Sequence, residues 1–160
     1  MIGMILVTHG RLAEELRSAM EHVVGVQRGV ATICINADDD VEQRRLEIRQ
    51  RIEELDSGDG VVIITDMFGG TPSNLAISMM DRPNVDVIAG ANLPMLVKLA
   101  KIRSRQTLVE TVGCAEAAGR KYIASASTVL RNGTTPNLCM LDPRQSNGHH
   151  PEALPIKAKA

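Results

Sequence analysis

The chain has 160 residues and a formal net charge of −1 at pH 7, with 18 basic and 19 acidic side chains interleaved along it. Its 44% hydrophobic content is almost wholly aliphatic, with one Phe, one Tyr and no Trp. A chain of this kind is long enough for one domain with a real core, and it lacks both the basic footprint and the aromatic stacking platforms of a nucleic-acid binder.

The N-terminal run MIGMILV is only as long as a buried strand, lacks a basic leader, and is followed at once by Arg11, Glu14 and Glu15, so it does not read as a signal peptide. Met4 to Val7 is the first expected strand. From Arg11 to about Val24, Leu12, Leu16, Ala19, Met20 and Val23 form a helical stripe. Val30 to Ile35 reads as a second strand. Val41 to Leu55 reads as a helix, with Ile48, Ile52 and Leu55 on one face and Glu/Arg pairs on the other. Val61 to Thr65 is a third strand without polar alternation, as expected where helices cover both sheet faces. Thr71 to Met80 opens another helix, and Val85 to Ala89 is a fourth strand. Beyond Gly90, Pro94 to Ile102 reads as a short helix. Leu108 to about Ala126 reads as a longer one, with Gly119 a candidate interruption.

Strands alternating with helices imply right-handed crossovers and an α/β fold with a doubly wound, mainly parallel sheet. Residues 1–131 are expected to form the domain. Residues 132–160, with Pro136, Pro143, Pro151 and Pro155, are expected to be a largely disordered or loosely docked tail. Cys34, Cys114 and Cys139 are odd in number and scattered, which fits reduced thiols and a cytoplasmic location. No stretch approaches the ~20 apolar residues that cross a bilayer, so no membrane insertion is expected.

Two segments carry the chemistry. Val7-Thr8-His9-Gly10 ends the first strand, and Asp66-Met67-Phe68-Gly69-Gly70-Thr71-Pro72-Ser73-Asn74 follows the third. Open α/β sheets bind ligands at the carboxyl ends of their strands, where the strand order reverses. In the order 2-1-3-4 the first and third strands are neighbours, so His9 and Asp66 meet above the sheet and the crevice is expected between those two strands. A carboxylate there fixes the imidazole tautomer, turns the other nitrogen outward as a nucleophile, and stabilises positive charge on the ring. Gly69 and Gly70 let the backbone approach a ligand. Thr71 is the expected N-cap and Pro72 the first helical residue, so free N–H groups and the Thr71 hydroxyl would face a phosphoryl group. Singly, each feature has an ordinary explanation, a structural histidine, a loop aspartate or a turn-to-helix signal. Their joint placement favours a histidine that takes and passes on a phosphoryl group.

These segments, together with Ala89-Gly90-Ala91-Asn92-Leu93-Pro94-Met95-Leu96, resemble the enzyme IIA component of the mannose-type phosphotransferase system, over about Met1 to Leu130. The resemblance implies that this is a phosphotransferase with a phosphohistidine intermediate. His9 would accept a phosphoryl group from the carrier protein HPr and pass it to a histidine of an enzyme IIB. Asp66 would be its acidic partner, with Gly69, Gly70 and Thr71 around the phosphoryl group. It further implies a homodimer in which an exchanged antiparallel strand completes the sheet edge, placed here around Ser127 to Leu130. No cofactor and no metal are expected. Many family members fuse a IIB domain through a linker, and the tail after Asn132 is too short for one.

Three other readings remain open. The chain is a regulatory binding module switched by His9 phosphorylation, or the phosphoryl-donor subunit of a dihydroxyacetone kinase, whose N-terminal domain is similar to this family. The last is an unrelated flavodoxin-like or metal-dependent phosphatase domain, for which Asp38-Asp39-Asp40 is the only acidic run. That run is better explained as capping at a helix start. His149-His150, in a polar tail, is better read as incidental than as a metal site.

Overall fold

A computed structural model describes residues 1–132. The expected tail, including Cys139 and His149-His150, lies outside the described residues. Ten elements follow in order: β1 (Gly3–His9), α1 (Leu12–Val24), β2 (Val30–Ile35), α2 (Val41–Leu55), β3 (Val61–Thr65), α3 (Thr71–Ile77), β4 (Val85–Ala89), α4 (Leu93–Ile102), α5 (Leu108–Lys121) and α6 (Ala126–Asn132). The four strands are all parallel, in the order β2-β1-β3-β4. The fold is therefore the α/β arrangement, with the order 2-1-3-4, that the sequence pattern predicts.

The two central strands, β1 and β3, are buried on both faces because their apolar residues run consecutively rather than alternating with polar ones. Met4, Leu6, Val62 and Ile64 face α1, α4 and α5 through Ala13, Met20, Leu96, Leu99 and Ala115. Ile5, Val7, Ile33 and Ile63 face α2 and α3 through Ile48, Ile52, Leu75 and Met79. Alternate residues of one strand thus serve two cores. The chain runs from β1 outward to β2 and then returns past β1 to β3, so the strand order reverses between β1 and β3.

The amino-terminal end of the sheet is tied by Arg103, at the C-cap of α4 and only 2% exposed. Its Nη1 donates to the carbonyls of Ile2 and Gly29 at 3.0 and 3.2 Å, and its Nη2 donates to Gln27 Oε1 at 3.3 Å and to the Arg28 carbonyl. The N-terminal ammonium pairs with Asp59. Among the described residues no helix is long and apolar enough to cross a membrane.

Several boundaries differ from the sequence expectation. The helix expected to reach Met80 ends at Ile77 and gives way to turns. No interruption occurs at Gly119, which lies buried inside α5. A Cβ there would stand 2.9 Å from Met95 Cε, so this glycine serves close helix packing. The break comes instead at 122–125. The strand placed at Ser127–Leu130 is wrong: those residues belong to α6, whose first turn is closed by Thr128 and Val129 N–H groups donating to the Ser125 carbonyl at 3.0 and 3.1 Å.

Candidate functional site

His9 is the last residue of β1, where the burial of that strand ends. The β1–β3 register pairs Val7 with Thr65, so Asp66 emerges from β3 one step further on and reaches across to His9. Asp66 Oδ2 accepts two hydrogen bonds from this one residue, from His9 Nδ1 at 2.8 Å and from the His9 backbone N–H at 3.1 Å. Oδ1 accepts the Met67 N–H at 3.0 Å. Burial raises the proton affinity of the Asp66 carboxyl. The bonds from the His9 ring, the His9 N–H and the Met67 N–H outweigh that effect and hold it below its ordinary value. An ionised carboxylate only accepts, so in the neutral imidazole the ring proton sits on Nδ1 and Nε2 keeps its lone pair.

The other side of the ring is set by Gly70. A Cβ at this position would lie 2.6 Å from His9 Cε1 and 2.9 Å from Nε2, well inside contact distance. Gly70 has an ordinary φ of −92°, so glycine is needed here for space and not for backbone freedom. Its neighbour Gly69, at φ +84°, is the residue that needs the left-handed region to make the turn. The side chain of His9 is 49% exposed and that of Asp66 14% exposed, so the ring is open to solvent while its carboxylate partner is covered.

The N-cap of α3 is Gly70, not Thr71. Thr71 is the first helical residue, and no side chain caps the helix. The reason is local. The Gly70 carbonyl already accepts the Asn74 N–H at 3.0 Å and also the Ser73 hydroxyl at 3.0 Å, which starts the helix one residue early. Thr71 is thereby left exposed on the open side. Pro72, in the first turn of α3, has no N–H to offer a ligand.

The open space beside His9 does not lie between β1 and β3, where the Asp66 bond closes the gap. It lies on the β2 side, as a cavity of about 380 Å³ bordered by His9, Thr71, Ile35, Asn36, Asp39 and Arg44. The β2–α2 loop that forms its wall is rigidly built. Asp39 Oδ2 accepts the Asn36 N–H at 2.8 Å and Arg44 Nε at 2.9 Å. Asp40 caps α2, accepting the N–H groups of Glu42 and Gln43 at 2.9 and 3.1 Å. The acidic run is thus a capping device, and among the described residues no group of three or more His, Cys, Asp or Glu side chains is arranged to hold a metal ion.

Of the residues expected at the site, His9, Asp66 and Gly70 come into contact, and Thr71 joins His9 at the cavity. Gly69 shapes the turn. The third sequence block is structural: the Asn92 side chain accepts the Met95 N–H at 3.1 Å to cap α4, and its Nδ2 donates to the Gly119 carbonyl of α5 at 3.1 Å. Sequence reasoning did not bring Asn36 and Arg44 to this cavity, and it read Asp39 only as part of a capping run. Their signal was present, since β2 also flanks β1 and its carboxyl-end loop must face His9.

Residues 3–115 match the family model described as "PTS system fructose IIA component". The chain is 32% identical over 124 residues to the PTS system mannose-specific EIIAB component of Escherichia coli (strain K12). That alignment covers 76% of this chain but only 38% of the relative's length. It is 23% identical over 138 residues to the PTS system fructose-specific EIIA component of Bacillus subtilis, covering 86% of this chain and 94% of that protein. Among solved structures, the mannose/sorbose-specific IIA subunit from Enterococcus faecalis superposes with a TM-score of 0.69 at 26% identity, covering 78% of this chain and 93% of that one. The EIIA component from Streptococcus agalactiae shares the fold, with a TM-score of 0.74 at 24% identity and coverage of 80% and 99%.

Proposed function

The chain belongs to the IIA component family of the sugar phosphotransferase system, and from that premise we propose that it is a phosphocarrier whose phosphoryl group is borne on Nε2 of His9. The observation that carries this reading is the double grip of Asp66 on His9, at 2.8 Å to Nδ1 and 3.1 Å to the backbone N–H, which leaves Nε2 as the free nucleophile on the exposed side of the ring.

The phosphoryl donor is HPr. The lone pair of His9 Nε2 attacks phosphorus, the new N–P bond forms, and the bond from phosphorus to the donor breaks with its electron pair returning to the donor atom. Positive charge developing on the His9 ring is stabilised by Asp66 through Nδ1–H, in the way an aspartate steadies a catalytic imidazolium. Onward transfer reverses the roles. A histidine of an enzyme IIB attacks phosphorus, and the Nε2–P electron pair returns to His9. Thr71, exposed at the cavity, contributes its hydroxyl to a phosphoryl oxygen, while Gly69 and Gly70 keep side chains away from the reacting nitrogen. The working unit is a homodimer. In support, the outer edge of β4 pairs with no described strand, and an unpaired edge is a ready template for a strand of a second copy.

The test is phosphorylation with phosphoenolpyruvate, enzyme I and HPr, followed by chemical typing of the label. The wild type should acquire an acid-labile, alkali-stable phosphate with the ³¹P signature of an Nε2 adduct, and His9→Ala should acquire none. Asp66→Asn should fold but take up label about 100-fold more slowly, because the amide no longer fixes the Nδ1–H tautomer. Labelling of His9→Ala at the wild-type level, or an Nδ1 adduct, sinks the assignment.

A further inference from the structure

The cavity beside His9 contains one side chain with a permanent positive charge, Arg44 of α2. Its Nε donates to Asp39 Oδ2 at 2.9 Å and its Nη1 to Glu47 Oε2 at 2.6 Å, while its Nη2 donates to no described residue. Asp39 is itself anchored, since the same oxygen accepts the Asn36 N–H at 2.8 Å. The guanidinium is therefore fixed by two carboxylates, with one arm of its fork uncommitted. As a stability device such a partly exposed cluster contributes little. Its position on the wall shared with His9 and Thr71 calls for a different explanation.

A phosphoryl group on Nε2 adds up to about two negative charges. The nearby fixed charges that it meets are the Asp66 carboxylate behind the ring and the Asp39 carboxylate on the cavity wall. Arg44 is the cation on the cavity wall that offsets them, whereas Arg11, two residues after His9, is paired with Glu14 and Glu15; a planar guanidinium can hold a carboxylate with one edge while a remaining N–H meets a phosphate oxygen. The carboxylates keep it charged, Asp39 and then Glu47 raising its proton affinity further above the ordinary value.

We propose that Arg44 is the phosphoryl-stabilising residue of this site: held by Asp39 and Glu47, it offers Nη2 to a phosphoryl oxygen on His9 and favours the dianionic form of that group. This rests on the phosphorylation of His9 proposed above. The donor contact belongs to this chain alone, so it acts during the lifetime of the phosphorylated protein, whether or not a partner is bound.

The experiment is a ³¹P NMR pH titration of the phosphorylated full chain, comparing wild type, Arg44→Gln and Arg44→Lys, together with the rate of spontaneous loss of label. Loss of a neighbouring cation disfavours the dianion, so Arg44→Gln should raise the last phosphoryl pKa by about half a unit. Arg44→Lys should restore most of the difference, a rescue that a merely structural role would not give. If Arg44→Gln does not fold, Glu47→Gln serves instead. Removing that carboxylate leaves the guanidinium less engaged and should lower the phosphoryl pKa. An unchanged pKa in the folded Arg44→Gln protein, or in Glu47→Gln where it is the substitute, overturns the role of Arg44 while leaving the labelling of His9 intact. Failure of the wild type to label overturns both readings, and that outcome is visible before any Arg44 variant is examined.

Discussion

At the scale of single residues the site is a problem of space and tautomer. Asp66 decides the tautomer, and Gly70 decides where the ring can lie. Gly70→Ala separates these two effects cleanly, because φ of −92° suits alanine and only the Cβ collides, 2.6 Å from His9 Cε1. The variant should stay within about 1 kcal/mol of wild-type stability in urea yet lose at least about tenfold in the rate of phosphoryl uptake, since a small misplacement of a reacting atom costs a large factor. Wild-type uptake, with an unmoved His9 ring in imidazole NMR spectra, would rule out the spatial role of Gly70. The charge on Asp66 makes a separate prediction. Its folded-state pKa lies below the unfolded value, so the stability that it contributes is fully present above the unfolded carboxylate pKa and is lost as pH falls through the folded one. The stability gap between wild type and Asp66→Asn, measured by urea unfolding, should therefore be constant near neutral pH and close in acid. A gap that widens in acid contradicts the assignment of an ionised, hydrogen-bonded carboxylate.

At the scale of elements the sequence was legible wherever a repeat period or a cap was local. The apolar runs of β2, β3 and β4 fall at the expected residues, and α2 runs from Val41 to Leu55 as its stripe requires. Asp40 caps that helix, as an aspartate just before a periodic segment should. Misreadings occurred where a residue's local habit was overruled by a neighbour distant in sequence. Gly119 looks like a helix breaker in isolation, but it lies against Met95 of α4 and accepts from Asn92 at the N-cap of that helix. Asn92 thus serves two helices at once. Asn92→Ala removes the α4 cap and leaves the Gly119 carbonyl without that donor, so it should lower stability by about 1–3 kcal/mol without changing the chemistry of label uptake at His9. A urea midpoint equal to that of the wild type would show that the α4–α5 bridge contributes nothing.

At the scale of the whole molecule, the reversal of strand order gathers the site. β1 and β3 are separated in sequence by β2 and two crossovers, yet they lie side by side and deliver His9 and Asp66 to one point. The same topology puts β4 at one edge with Phe68, 67% exposed, and Ile123, 78% exposed, near its open side. Two copies joined along that edge would cover both. Sedimentation equilibrium of the full chain should therefore read a two-chain mass, and a one-chain mass throughout the micromolar range would remove the dimer from the proposal.

The sequence by itself determined the strand and helix periods, the two-sided burial of the sheet and hence the order of its layers, because these follow from local spacing of apolar side chains. It also indicated His9 and Asp66, since strand ends are where an open sheet leaves side chains free. Only the tertiary structure decided that Gly70 is a space for the ring and that the cavity opens toward β2 with Arg44 on its wall. Those facts depend on distances between segments far apart in the chain, and no local period encodes them.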